Sequence, residues 1–175
     1  MSNEKNYKDY INEIQDFPKE GVSFKDISPL LLHPTKFKLA MMDIIQNVPF
    51  SCFGWAGVES RGFLIASALS QLNDGGIVLI RKKGKLPPPV CTVSYNSEYS
   101  YSTLEINPNT SEDRTPIILV DDVLATGATL KASYELLSNN GYDVKGIGVL
   151  IDLLYLHEKD FSIEGHKVSS VIQYE

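Results

Sequence analysis

"PIILVDDVLATGATLKAS", residues 116–133, decides the fold. Pro116 opens a run in which Ile117, Ile118, Leu119 and Val120 are continuously apolar rather than alternating. That pattern suits a central strand of a parallel sheet, buried on both faces. Asp121 and Asp122 follow at the strand's carboxyl end, where α/β sheets hold their ligands. After Gly127, apolar groups at 130, 134 and 137 have helical spacing. The unit reads strand, acidic pair, small-residue loop, helix.

Successive strand residues point to opposite faces, so both aspartates face one ligand only if the strand end twists or stops. A division of labour follows, with one carboxylate on ligand hydroxyls and the other bonded within the loop or to water. Ala125, Gly127 and Ala128 let backbone N–H groups approach closely, and a helix N-terminus favours an anion there. Thr126 and Thr129 add hydroxyls. Vicinal hydroxyls at one end and a phosphate at the other describe ribose 5-phosphate. The plain alternative is an acidic turn with threonine helix caps. A Walker phosphate loop is excluded, because Gly-Lys-Ser/Thr is missing.

A chain of 175 residues can bury one domain-sized core, and 43% apolar with 22% charged residues is ordinary for a globular protein. The net charge of −6 argues against a nucleic-acid or acidic-membrane binder. No apolar run approaches the ~20 residues that span a bilayer, and residues 1–10 are too polar for a signal peptide. Cys52 and Cys91 lie far apart, in no metal or redox spacing. Reduced thiols and a cytoplasmic location are the expectation.

Outward from the opening stretch, Tyr7, Ile11 and Ile14 predict an amphipathic helix over 4–15, ended by the turn at 17–21. Pro34 starts a second helix, with Phe37, Met41, Ile44, Ile45 and Val48 inward. Strands are expected over 53–58, 76–80, 144–151 and 168–173, with a helix over 63–72. Residues 90–95 and 101–106 flank a polar tip and predict an antiparallel hairpin inserted into a parallel architecture. The cluster Arg81, Lys82, Lys83, Lys85 precedes it and by itself reads as a solvated face.

"ILVDDVLATGAT" (118–129) resembles the phosphoribosyl-pyrophosphate signature of the type I phosphoribosyltransferases without a gap. "FPKEGVSFKDISPLL", "AGVESRGF", "LIRKKGKLP", "SYNSEY" and the terminal "IQYE" are similar, in order, to segments of the adenine phosphoribosyltransferases. The resemblance implies an α/β fold with a mostly parallel central sheet flanked by helices. It implies one domain over 1–175, with an N-terminal helix and base-binding hood (1–33) and a flexible flap and hairpin (81–106). By the same resemblance, Asp121 and Asp122 bind the ribose hydroxyls, and Ala125, Thr126, Gly127, Ala128 and Thr129 the 5-phosphate. Glu59, Ser60 and Arg61 hold the pyrophosphate on a loop that often carries a non-proline cis bond, and Arg61 also reaches the purine.

Lys82 and Lys85 match positions near the pyrophosphate, and a diphosphate needs cations around it with water excluded. Pro87, Pro88 and Pro89 stand where the family has one proline, which predicts a stiffer flap. Glu98 matches the proposed general acid or base for the adenine N9 proton. Tyr99 lies beside it, followed by Ser100 where the family has glycine. The Ser23 backbone would meet the adenine edge, with Phe24 and Leu153 on the ring faces, and Lys25 stands where arginine is common. Transfer of the phosphoribosyl group to adenine is thus expected, in a homodimer. Mg²⁺ would come bound to the substrate's pyrophosphate rather than to protein ligands. Another purine acceptor, or a regulator that senses the phosphoribosyl ligand without chemistry, are the alternatives.

Overall fold

The structure, a computed structural model, describes residues 6–49, 53–96, 101–110 and 114–175. A 3-10 turn at Tyr7–Tyr10 leads into strand β1 (Asn12–Ile14), which pairs antiparallel with β2 (Phe24–Asp26). Helices α1 (Ser28–Leu32) and α2 (Pro34–Asn47) follow, then β3 (Gly54–Val58), α3 (Arg61–Leu72) and β4 (Gly76–Lys82). The hairpin is β5 (Cys91–Asn96) with β6 (Tyr101–Ile106). The opening stretch forms β7 (Thr115–Leu124) and α4 (Ala128–Ser138). The chain ends with β8 (Tyr142–Leu153), β9 (Ser162–Ile163) and β10 (His166–Tyr174).

The main sheet runs β5-β6-β4-β3-β7-β8-β10-β9. Its five middle strands, β4 to β10 in spatial order, are mutually parallel, and both margins are antiparallel. β7 lies in the centre, which explains its unbroken apolar run. Ile118 and Val120 join Met41, Ile44, Trp55, Ile65 and Leu69 on the face covered by α2 and α3. Ile117 and Leu119 join Ala56, Ile80, Leu130, Leu136 and Ile147 on the face covered by α4. Full burial of each such side chain contributes about 1.5–3 kcal/mol. Gly57 sets the α3 packing distance: a Cβ there would lie 2.6 Å from the Gly62 carbonyl oxygen and 2.8 Å from the Ala66 Cβ.

The expected 4–15 helix is corrected. Tyr7 and Ile11 are buried, as helical spacing requires, but Ile14 is 43% exposed and pairs with Phe24 across β1 and β2. A pair of inward residues four apart fits one turn as well as a full helix, and the cross-strand ladder to the 24–26 segment wins. Asp16 takes φ 57° and accepts from Gly21 N at 2.8 Å, closing the turn between these strands. β7 also runs on through Leu124, because β8 continues to pair with it as far as Asp152. The hairpin joins the sheet at its base, where Arg81 faces Glu105, Lys82 faces Leu104 and Lys83 N donates to the Thr103 carbonyl at 3.0 Å.

Candidate active site

At the carboxyl ends of β3 and β7 lies a cavity of about 660 Å³. Its wall brings together Ser23, Phe24 and Lys25 from the hood, Glu59, Ser60 and Arg61 after β3, and Lys82 from β4. Asp121, Asp122, Ala125, Thr126, Ala128 and Thr129 line it from β7 and the start of α4, and Leu153 from the end of β8. Segments more than a hundred residues apart meet because the parallel strands all end on this side.

The acidic pair is almost entirely covered, at 9% and 7% exposure. Asp121 Oδ1 accepts from the Asp122 amide at 2.8 Å, so this carboxylate folds back on the loop. Asp122 Oδ2 instead lies 2.7 Å from Arg61 Nη2 as an ion pair and otherwise lacks a hydrogen-bond partner. Burial pushes the Asp121 carboxyl well above the usual carboxylate range, and the neighbouring Asp122 charge adds to it. Burial also pushes Asp122 up, against the pull of the Arg61 guanidinium. Two desolvated acids side by side favour a partner that brings hydroxyl donors or positive charge.

Arg61 spans the cavity. Its Nη1 donates to the Lys25 carbonyl at 2.9 Å, and its guanidinium carbon lies 4.8 Å from the Phe24 ring centroid. The Glu59–Ser60 peptide just before it is cis. Glu59 is held in the cavity wall, with Oε2 accepting from Lys82 N at 3.0 Å and from Arg81 Nε at 3.2 Å. Lys25 is buried, and its ammonium is committed to Glu13 at 2.6 Å and to the Ser23 hydroxyl at 3.1 Å. Only its backbone carbonyl serves Arg61.

The 125–129 loop enters α4 through Gly127, whose φ of +82° is left-handed. The first amides of α4 have no acceptor within the helix, as at any helix start, and this end opens beside cavity-lining Thr126 and Thr129. Gly127 itself is absent from the cavity wall, and so is Lys85. Glu98 and Tyr99 lie outside the described residues.

Tyr95 was not among the expected site residues, yet it lines the cavity and its hydroxyl shares a 3.1 Å hydrogen bond with Thr129 Oγ1. The signal was period-two alternation in β5, which places Tyr95 on the half-buried face with Cys91 and Val93. A second missed feature is the buried contact between His157 Nε2 and Asp152 Oδ1 at 2.7 Å. His157 also stacks near Phe161, which covers the back of the Gly127 loop.

The phosphoribosyl transferase domain family matches residues 54–168. The adenine phosphoribosyltransferase of Bdellovibrio bacteriovorus is 38% identical over 168 residues, covering 95% of this chain and 98% of its own. The crystal structure of adenine phosphoribosyltransferase from Thermoanaerobacter pseudethanolicus superposes with a TM-score of 0.88 at 34% identity, over 96% of this chain and 98% of that one. The Saccharomyces cerevisiae adenine phosphoribosyltransferase, complexed with D-2,5-dideoxy-2,5-imino-altritol 1,6-bisphosphate and adenine, gives 0.83 at 29% identity, over 94% and 96%.

Proposed function

The chain belongs to the phosphoribosyl transferase family, in its adenine phosphoribosyltransferase branch, and we propose that one cavity wall seats phosphoribosyl pyrophosphate while the hood seats adenine. The reaction transfers the 5-phosphoribosyl group from phosphoribosyl pyrophosphate to adenine, giving AMP and pyrophosphate, a purine-salvage step. The observation that carries the residue assignment is the buried Asp121–Asp122 pair, tied through Arg61 to the carbonyl of Lys25. The ribose side and the base side share one side chain.

In this reading Asp121 and Asp122 accept from the ribose 2′- and 3′-hydroxyls, with lone pairs left beyond the Asp122 amide and Arg61 contacts. The amides and hydroxyls of 125–129 receive the 5-phosphate at the start of α4. Ser60, Arg61 and Lys82 face the diphosphate. Positive charge there stabilises pyrophosphate as it departs and the anomeric carbon becomes oxocarbenium-like. Glu98 takes the N9 proton of adenine. Among the described residues no three His, Cys, Asp or Glu side chains converge as a cage. Asp122 Oδ2 is held by Arg61 at 2.7 Å, so the acidic pair offers a substrate-borne cation outer contact at most. Mg²⁺ bound to the diphosphate would neutralise the charge that develops on the leaving group.

The enzyme works as a homodimer in this reading, supported by exposed Ile77 and Leu79, which share one face of β4, and by exposed Leu64 on α3. Among the described residues no helix is long and apolar enough to cross a membrane. A cytoplasmic setting belongs to the same reading, supported by the free thiol of Cys91. Adenine is selected by the hood backbone: a carbonyl accepts from the 6-amino group, and an N–H donates to ring N1. Hypoxanthine reverses both polarities, leaving two buried groups unpaired at about 1–3 kcal/mol each. Equal concentrations of adenine, hypoxanthine and guanine, offered with phosphoribosyl pyrophosphate, should give AMP almost alone. IMP or GMP formed within about tenfold of the AMP rate would overturn the hood assignment.

A further inference from the structure

Glu105 lies between buried Leu104 and Ile106 on β6 and is itself only 3% exposed. Its carboxylate is not paired with a cation in the usual surface manner. Oε2 accepts from Gly84 N at 3.0 Å, and Oε1 accepts from both Lys85 N and Leu86 N at 2.7 Å. Three consecutive amides converge on it because Gly84 takes a φ of +81°. Such a turn is an anion-binding concavity of the kind that elsewhere holds phosphate. Here the protein's own carboxylate fills it.

Two further ties act on the same segment. Arg81, opposite Glu105 in the β4–β6 register, donates from Nη1 to the Lys85 carbonyl at 3.1 Å and from Nε to Glu59 at 3.2 Å. Asn107 Nδ2 reaches the carbonyls of Pro87 at 3.3 Å and Pro89 at 3.4 Å. Residues 84–89 are thus held from β6 and β4 together, and the holding frame runs through Arg81 and Glu59 to the loop that carries Ser60 and Arg61. With the loop's amides turned inward, only side chains are left to meet a ligand from this edge, and Lys82 lines the cavity.

We propose that Glu105 is a positioning residue, which fixes residues 84–89 as a rigid sill beside Lys82, so that Lys82 meets the diphosphate end of phosphoribosyl pyrophosphate. This rests on the assignment of that end of the cavity to the diphosphate.

Two measurements on the full-length protein test this. In Glu105→Gln the amide group can no longer accept from all three N–H groups. The KM for phosphoribosyl pyrophosphate should rise about tenfold, the effect of one charge-assisted hydrogen bond, while the dissociation constant of AMP, which lacks the diphosphate, stays within about twofold. Equal losses in both, or no loss in either, would overturn the positioning role. Hydrogen exchange on the wild-type protein reads the sill without any substrate: the amides of Gly84, Lys85 and Leu86 should be protected, and exchange at open-loop rates would sink the proposal. A wild-type protein that does not use phosphoribosyl pyrophosphate at all would count against the cavity assignment, and protected amides would then leave Glu105 a structural clamp, overturning its role toward the diphosphate.

Discussion

A Cβ built on Gly127 would run into the ring of Phe161, with two further ring carbons at 2.8 and 2.9 Å. The glycine that opens α4 is therefore required by the fold behind the loop. A side chain here would point toward β9 and away from the cavity.

Gly127→Ala should consequently lose stability as well as phosphate affinity. The left-handed backbone alone costs an L-residue about 1–2 kcal/mol, and overpacking against Phe161 adds about 1–3 kcal/mol. Urea unfolding of Gly127→Ala, Phe161→Ala and the double variant checks this. The double variant should recover the overpacking part, and strictly additive losses would contradict the contact.

Asp122→Asn keeps the shape of the site and removes the charge facing Arg61. Its use of phosphoribosyl pyrophosphate should weaken by about 1.5–3 kcal/mol, roughly tenfold to 150-fold, with the fold intact. Wild-type steady-state kinetics in a correctly folded variant would remove the acidic pair from the reaction.

Asp121 gives a pH prediction of unusual sign for a carboxylate. Its folded value is raised above the unfolded one, near 3.9, so the folded state binds more protons across the window from about pH 4 up to the folded value. Stability therefore falls as pH rises through that window. Asp121→Asn removes the titration and keeps an oxygen for the Asp122 amide. Its melting temperature should match wild type at about pH 4 and exceed it at about pH 8, by about 2–4 °C for each kcal/mol relieved, while turnover falls. A difference that does not vary with pH would show that burial of this charge carries no cost.

Arg61→Lys tests the bridge across the cavity. A lysine keeps the charge but cannot reach both the Lys25 carbonyl and Asp122 with a planar fork. The KM values for adenine and for phosphoribosyl pyrophosphate should rise together, by about tenfold each if one charge-assisted bond is lost per side. A rise confined to one substrate would mean that the two halves of the site are not coupled through this residue.

What the sequence determined by itself is the 116–133 unit and its neighbours. An unbroken apolar run, an acidic pair and a glycine at a helix start are local signals, and their consequences fall within a dozen residues. The same holds for α2, whose proline start and inward Met41 and Ile44 follow from one period. Only the tertiary structure decided the rest, because the deciding partners are remote in sequence. Tyr7 and Ile11 allow a helix, and pairing of Ile14 with Phe24 makes a strand instead. Glu105 looks like one more acidic residue on a hairpin until the amides of Gly84, Lys85 and Leu86, some twenty residues earlier, converge on it. Lys25 carries a charge that composition would place at an anionic ligand, yet Glu13 and Ser23 claim it. A backbone N–H or a buried carboxylate takes whichever partner the fold brings within about 3 Å, and no spacing along the chain encodes that meeting.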